Sequence, residues 1–197
     1  MKYTWMYRLG FVPWERYGPV ALITLRSLLG SVTAARSPGR ALDLGCGRGQ
    51  FTAELARHGW EAVGVDIVPE AIQTARDQSP AEVRYVVGDV TDLVSAELGV
   101  FDLFIDIGCF QGLNAEQQAA EGRGVTALAA PGGADVLLLA FDTSRYRWLV
   151  EGVAPEQVSA AFRQWQLVSV ESADTTGLGW PMKHTAPKWY WFHLADD

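Results

Sequence analysis

The chain has 197 residues, 49% hydrophobic and 20% charged, which suits one α/β domain, since single cores stop growing near roughly 250 residues, and excludes wholesale disorder. Its 16 Lys+Arg against 23 Asp+Glu leave a net charge of −7, a field that repels a phosphate backbone, so nucleic acid is not an expected partner. Two cysteines, Cys46 and Cys109, without metal-ligand spacing suggest a reduced, cytoplasmic setting and no metal. In chain order, the opening MKYTWMYRLG lacks an apolar signal core. Val20–Leu29 is interrupted by Arg26 and falls short of the ~20 residues a bilayer span takes. No membrane span is expected. Leu22, Leu25, Leu28, Leu29 and Val32 recur at three- and four-residue spacing, which predicts a helix over 20–32. Arg40–Leu44 reads as a strand running into glycines, followed by a helix that stops at His58-Gly59.

The alternation then repeats. Glu61–Asp66 is a predicted strand, Pro69–Asp77 a helix opened by proline, Val83–Val87 a strand, Phe101–Ile107 a strand, Ala115–Ala129 a helix and Asp135–Phe141 a strand apolar throughout. After Pro155 a helix over Glu156–Trp165 leads to strands at Leu167–Glu171 and Lys188–Leu194, with a long loop, 172–187, between them. Strands alternating with helices predict an open, doubly wound, Rossmann-like sheet whose ligand crevice lies at the carboxyl ends of the strands.

Asp43-Leu-Gly45-Cys46-Gly47-Arg-Gly49 joins the first strand to its helix. Glycines let a ligand approach the backbone, and the helix start offers unpaired N–H groups. The spacing is G-x-G-x-G and not the G-x-G-x-x-G of a dinucleotide cradle, because Gln50 holds the third position, which disfavours a nicotinamide oxidoreductase. Asp66 ends the second strand about 20 residues on, where a carboxylate can accept from both ribose hydroxyls. Asp89, ending the third, can accept from an adenine amino group.

LDLGCGRGQ, GVDI, VVGDVTDL, FDLFIDIGCF and APGGADVLLLAF, in this order, resemble the successive motifs of class I S-adenosylmethionine-dependent methyltransferases. The resemblance covers residues 40–142. It implies a seven-stranded sheet, mostly parallel with an antiparallel C-terminal strand pair, and S-adenosyl-L-methionine as cofactor, with S-adenosyl-L-homocysteine as product. It further implies that Asp43, Gly45, Cys46, Gly47 and Gly49 face the methionine part, Asp66 the ribose, Asp89 and Val90 the adenine, and Asp106 and Ile107 the sulfonium end, with Ile67 also in contact with the cofactor. The fourth motif lacks the N/D-P-P-aromatic signature of enzymes that methylate amino groups of nucleic acids. Phe11–Pro19, with Trp14, and Ile105–Leu113 resemble the thiopurine, halide and thiol methyltransferase-like branch, which implies a small-molecule acceptor and places Trp14 over the cofactor.

One domain is expected across 1–197, with an N-terminal aromatic lid and helix over 1–35 and the sheet-bearing core over 39–197. Half the aromatic residues lie before residue 18 or within Trp180–Phe192. Such rings are expected to line an apolar pocket over the carboxyl edge, although one face of Trp189–Phe192 also suits core packing. Asp142, ending the fifth strand, and His184, in the late loop, are the candidate catalytic groups. Asp102, at the start of the fourth strand, is expected to be structural. A cofactor-binding partner protein of the same fold without catalysis is the alternative from another class.

Overall fold

Ala134–Phe141 (β5) is buried at all eight positions, as a strand covered on both faces must be. In this computed structural model, which describes residues 17–142, 152–176 and 185–195, it stands beside β1 (Arg40–Leu44), β2 (Glu61–Asp66), β3 (Arg84–Val87), β4 (Leu103–Ile107), β6 (Gln166–Ser172) and β7 (Pro187–Leu194). The sheet order is β3-β2-β1-β4-β5-β7-β6. The first five are parallel neighbours, while β7 runs antiparallel to both β5 and β6. This is the expected seven-stranded architecture with its antiparallel end.

The helices are α1 (Gly18–Ala35), α2 (Gln50–Arg57), α3 (Pro69–Gln78), α4 (Ala115–Ala127) and α5 (Pro155–Ala161). One apolar layer joins Leu25, Leu29, Leu55, Ile72, Ile105, Leu137 and Trp189. The other joins Leu42, Val63, Phe104, Val125, Val136, Val158 and Tyr190. Each such side chain, fully buried, contributes about 1.5–3 kcal/mol. The two layers hold the parallel strands from both sides.

Four expectations change. By length and composition alone, α1 is long and apolar enough to cross a membrane, longer than the Val20–Leu29 run suggests; its stripe of Ala21, Leu25, Leu28, Leu29 and Val32 is buried against the core. Leu22 lies at the margin of that stripe. The helix after Pro155 stops at Ala161 instead of Trp165, because Phe162 and Trp165 turn inward, Trp165 meeting Phe104 edge-on at 6.2 Å. And the β7 aromatics are core: Trp189 fills one layer, Tyr190 and Phe192 the other, all nearly inaccessible. A chain-terminal segment becomes interior because β7 inserts between β5 and β6.

Candidate active site

The strand order reverses at β1, with β2 on one side and β4 on the other, so the connections diverge and leave a crevice outside the carboxyl ends. Around it lie the glycine loop after β1, Ile67 after β2, Asp89 after β3, the Gly108–Leu113 turn after β4 and Asp142 after β5.

Gly45, Gly47 and Gly49 have φ of 66°, 53° and 79°, the left-handed region that side chains resist. At two of them space also decides. A Cβ on Gly45 would stand 2.6 Å from the Cβ and Sγ of Cys109, and one on Gly49 would run into the Tyr85 hydroxyl. The loop is therefore pressed against the β4 turn on one side and β3 on the other. Cys46 and Cys109 are free thiols, and burial pushes the pKa of both up, so they pack in the site and are not thiolate nucleophiles.

Asp66 accepts from the Gly47 N–H through Oδ2 and from the Val68 N–H through Oδ1, each at 2.8 Å. It thereby sets the glycine loop, and each oxygen keeps a second lone pair for a ligand hydroxyl. Burial pushes its pKa up, opposed by those two amides. Asp89 is exposed and spends Oδ1 on the Thr91 N–H and hydroxyl, capping the turn Val90–Asp92. Val90 puts its side chain into the core, so toward the crevice it can offer only backbone. Ile67 and Val87, by contrast, are large apolar side chains left 61% and 45% exposed at this edge.

Two acids depart from the placement implied by the resemblance. Asp43 lies beneath the loop, 1% exposed, and accepts from the Thr52 hydroxyl at 2.6 Å. Burial lifts its pKa to about 7, Thr52 opposing and Asp106 and Asp66 adding. Asp106 turns into the protein, fully buried, and accepts from the N–H groups of Cys109 at 2.9 Å and Phe110 at 3.0 Å. The reason is strand alternation: Ile105 and Ile107 belong to the α1–α3 side, so Asp106 must face α4. Only the backbone beyond Ile107 is left at the edge.

The Asp142 carboxylate pairs with Lys188 Nζ at 2.8 Å, and its N–H donates to the Ala186 carbonyl. Trp14 and His184 lie outside the described residues, as do most of Phe11–Pro19 and positions 177–184 of the late loop. The described ends of those two segments meet, the Tyr17 hydroxyl donating to the Asp174 carbonyl at 2.6 Å, and burial pushes the Tyr17 pKa up to about 12.

Sequence reasoning missed Gln111, whose Oε1 accepts from the Phe141 N–H at 2.7 Å and ties the β4 turn to the end of β5. It also missed Glu121. Gln118, Glu121 and Val125 share a buried helix face at three- and four-residue spacing, and that spacing was the signal available. Among the described residues no lysine, arginine or histidine pairs with Asp43, Asp66, Asp106 or Glu121. Such an edge attracts a cation and repels a diphosphate. A glycine cradle, a carboxylate in reach of a ribose, exposed apolar surface for a base and uncompensated acids fit a sulfonium nucleoside.

Comparison with known proteins agrees. The family model described as "Methyltransferase domain" matches residues 41–133. Nodulation protein S of Rhizobium tropici is 33% identical over 175 residues, 87% of this chain and 69% of that protein. Magnesium-protoporphyrin O-methyltransferase of Rhodobacter capsulatus is 45% identical over 67 residues, which span 34% of this chain and only 30% of the relative. Among solved structures, N-methyltransferase NodS from Bradyrhizobium japonicum WM9 in complex with S-adenosyl-L-homocysteine superposes with a TM-score of 0.72 at 19% identity, covering 95% of this chain and 91% of that one. The chain belongs to the class I S-adenosylmethionine-dependent methyltransferases.

Proposed function

We propose that the chain moves the methyl group to a small, partly apolar acceptor through a thiol, hydroxyl or amine. The observation that carries this is the carboxyl edge itself, where Asp43, Asp66 and Asp106 have no basic partner among the described residues and only Asp142 pairs with a lysine, which suits a cationic donor and disfavours a polyanionic acceptor such as nucleic acid. The relatives support the size class: one is named for O-methylation of magnesium protoporphyrin and another is called an N-methyltransferase.

The donor supplies an electrophilic methyl group on a good leaving group. The protein's part is alignment and exclusion of water, worth about 7–11 kcal/mol in favourable cases. In this reading the glycine loop holds the amino-acid end, Asp66 the ribose and the Ile67–Val87 surface the base, while Asp89 and the Val90 backbone meet the adenine edge. The backbone beyond Ile107 borders the sulfonium end. Asp142, already neutralised by Lys188, orients the acceptor together with His184, and Trp14 covers the cofactor in the same reading. The two free cysteines suit a reducing, cytoplasmic setting.

Calorimetric titration should show binding of S-adenosylhomocysteine and none of NADH. Incubation with panels of small phenols, thiols and amines should then release S-adenosylhomocysteine with at least one class. Binding without release across all panels would favour the alternative of a cofactor-binding partner protein.

A further inference from the structure

Glu121 on α4 is fully buried, and neither of its carboxyl oxygens has a hydrogen-bond partner. An oxygen of Glu121, an oxygen of Asp106 and the Cys109 sulfur lie within 4.8 Å of one another. Two ionised carboxylates cannot share so dry a place without a cation, and among the described residues no base pairs with either. Geometry says which one keeps its charge. Asp106 accepts two backbone N–H groups, which favour a carboxylate; Glu121 accepts none. Burial and the Asp106 charge push the Glu121 pKa well up.

The groups facing Glu121 are Asp106 from β4 and the Cys109 thiol from the turn, with Asp66 and Asp43 beyond them. Of the acids on the other elements packed against α4, Asp92 accepts from the Ser95 hydroxyl and Glu156 is exposed. One helical turn earlier, Gln118 donates to the carbonyls of Phe110 at 3.3 Å and Leu113 at 3.0 Å. The turn held by Asp106 and Gln118 is the one that touches Gly45 through Cys109.

We propose that Glu121 is a positioning residue, a neutral carboxylic acid that donates its proton to Asp106 and so fixes the Gly108–Leu113 turn against the glycine loop. This rests on the fold and not on the acceptor, so its test uses S-adenosylhomocysteine and the full chain. At pH 8 the infrared spectrum should contain a protonated-carboxyl band that moves down in D2O and is lost in Glu121→Gln. Gln keeps a donor toward Asp106. Glu121→Gln should therefore bind S-adenosylhomocysteine within about threefold of the parent, whereas Glu121→Leu should weaken it and speed amide exchange at Cys109 and Phe110 by about tenfold, the effect of losing one hydrogen bond to a charged acceptor. If Gln proves as damaging as Leu, or the band survives in Gln, the proposal is overturned; an ionised Glu121 holding a cation would behave in the first of these ways. Should the Leu variant fail to fold, the band and the behaviour of the Gln variant decide alone.

Discussion

The two edges of the sheet use the same residue type in opposite ways. At the amino edge each aspartate has a cation or a strong donor. Asp102 accepts from Arg36 Nη2 at 2.9 Å and from the Arg40 N–H at 2.8 Å, and Asp135 accepts from the Trp191 indole at 2.7 Å, with Arg36 Nη1 3.6 Å away. At the carboxyl edge Asp43, Asp66, Asp106 and Glu121 meet only amides, a hydroxyl and one another. The first arrangement clamps strand ends together. The second, apart from Asp142 with its lysine, leaves the acids that stay ionised, Asp66 foremost, without a compensating cation where a cationic donor binds, and keeps Glu121 neutral. An acid's role here follows from its partners, and the partners come from elsewhere in the chain.

The comparison can be broken most severely at the loop. Gly45→Ala imposes a side chain on a left-handed backbone, at about 1–3 kcal/mol, and drives it into Cys109. We expect calorimetry to detect no S-adenosylhomocysteine binding while circular dichroism still reports the mixed α/β fold. Retained affinity would mean that the loop does not cradle the cofactor. Next in size, Asp66→Ala should weaken the same binding by about 1.5–3 kcal/mol, the loss of a charge-assisted acceptor.

Asp102→Ala sharpens the contrast from the other edge. Denaturant unfolding should show a loss of about 1–3 kcal/mol, because the Arg40 amide and the Arg36 guanidinium lose an acceptor, with cofactor affinity unchanged. An effect on affinity larger than that of Asp66→Ala would refute the division between the edges.

The smallest effect is on pH dependence. Burial raises the pKa of Asp43 to about 7 and that of Asp66, Asp106 and Glu121 in the same direction. The folded chain thus holds protons that the unfolded chain has released above about pH 4, so this contribution to stability falls as pH rises from about 4 through 7. Glu54 acts oppositely, its pKa lowered first by the hydrogen bond from Arg26, but its window lies below about pH 5. The thermal midpoint should therefore drop by a few degrees between about pH 5.5 and pH 8. A midpoint that rises over this range would show that cations reach the carboxyl edge.

Much of this was legible in the chain. The apolar run of β5, the proline opening α3 and the glycines after β1 are local signals, and the elements they predict are present. The resemblance of five motifs supplied the seven-stranded sheet with its antiparallel C-terminal pair and the cofactor, but not the strand order. The misread places were those where a residue's neighbours come from far along the chain. In Trp189–Phe192 only one face was expected to be core; that both are follows once β7 is seen to insert between β5 and β6.

The sequence by itself determined the period of each element, the sharp left-handed loop and the positions of acids at strand ends, because these depend on backbone sterics and on residues a few places apart. Only the tertiary structure decided which way those acids point. Alternation in β4 says that Asp106 and Ile107 face opposite sides; it does not say that α4 brings Glu121 to meet Asp106, or that the Cys109 thiol fills the space Gly45 leaves open. Burial and charge compensation are sums over every element packed around a group. They exist only once the layers have closed.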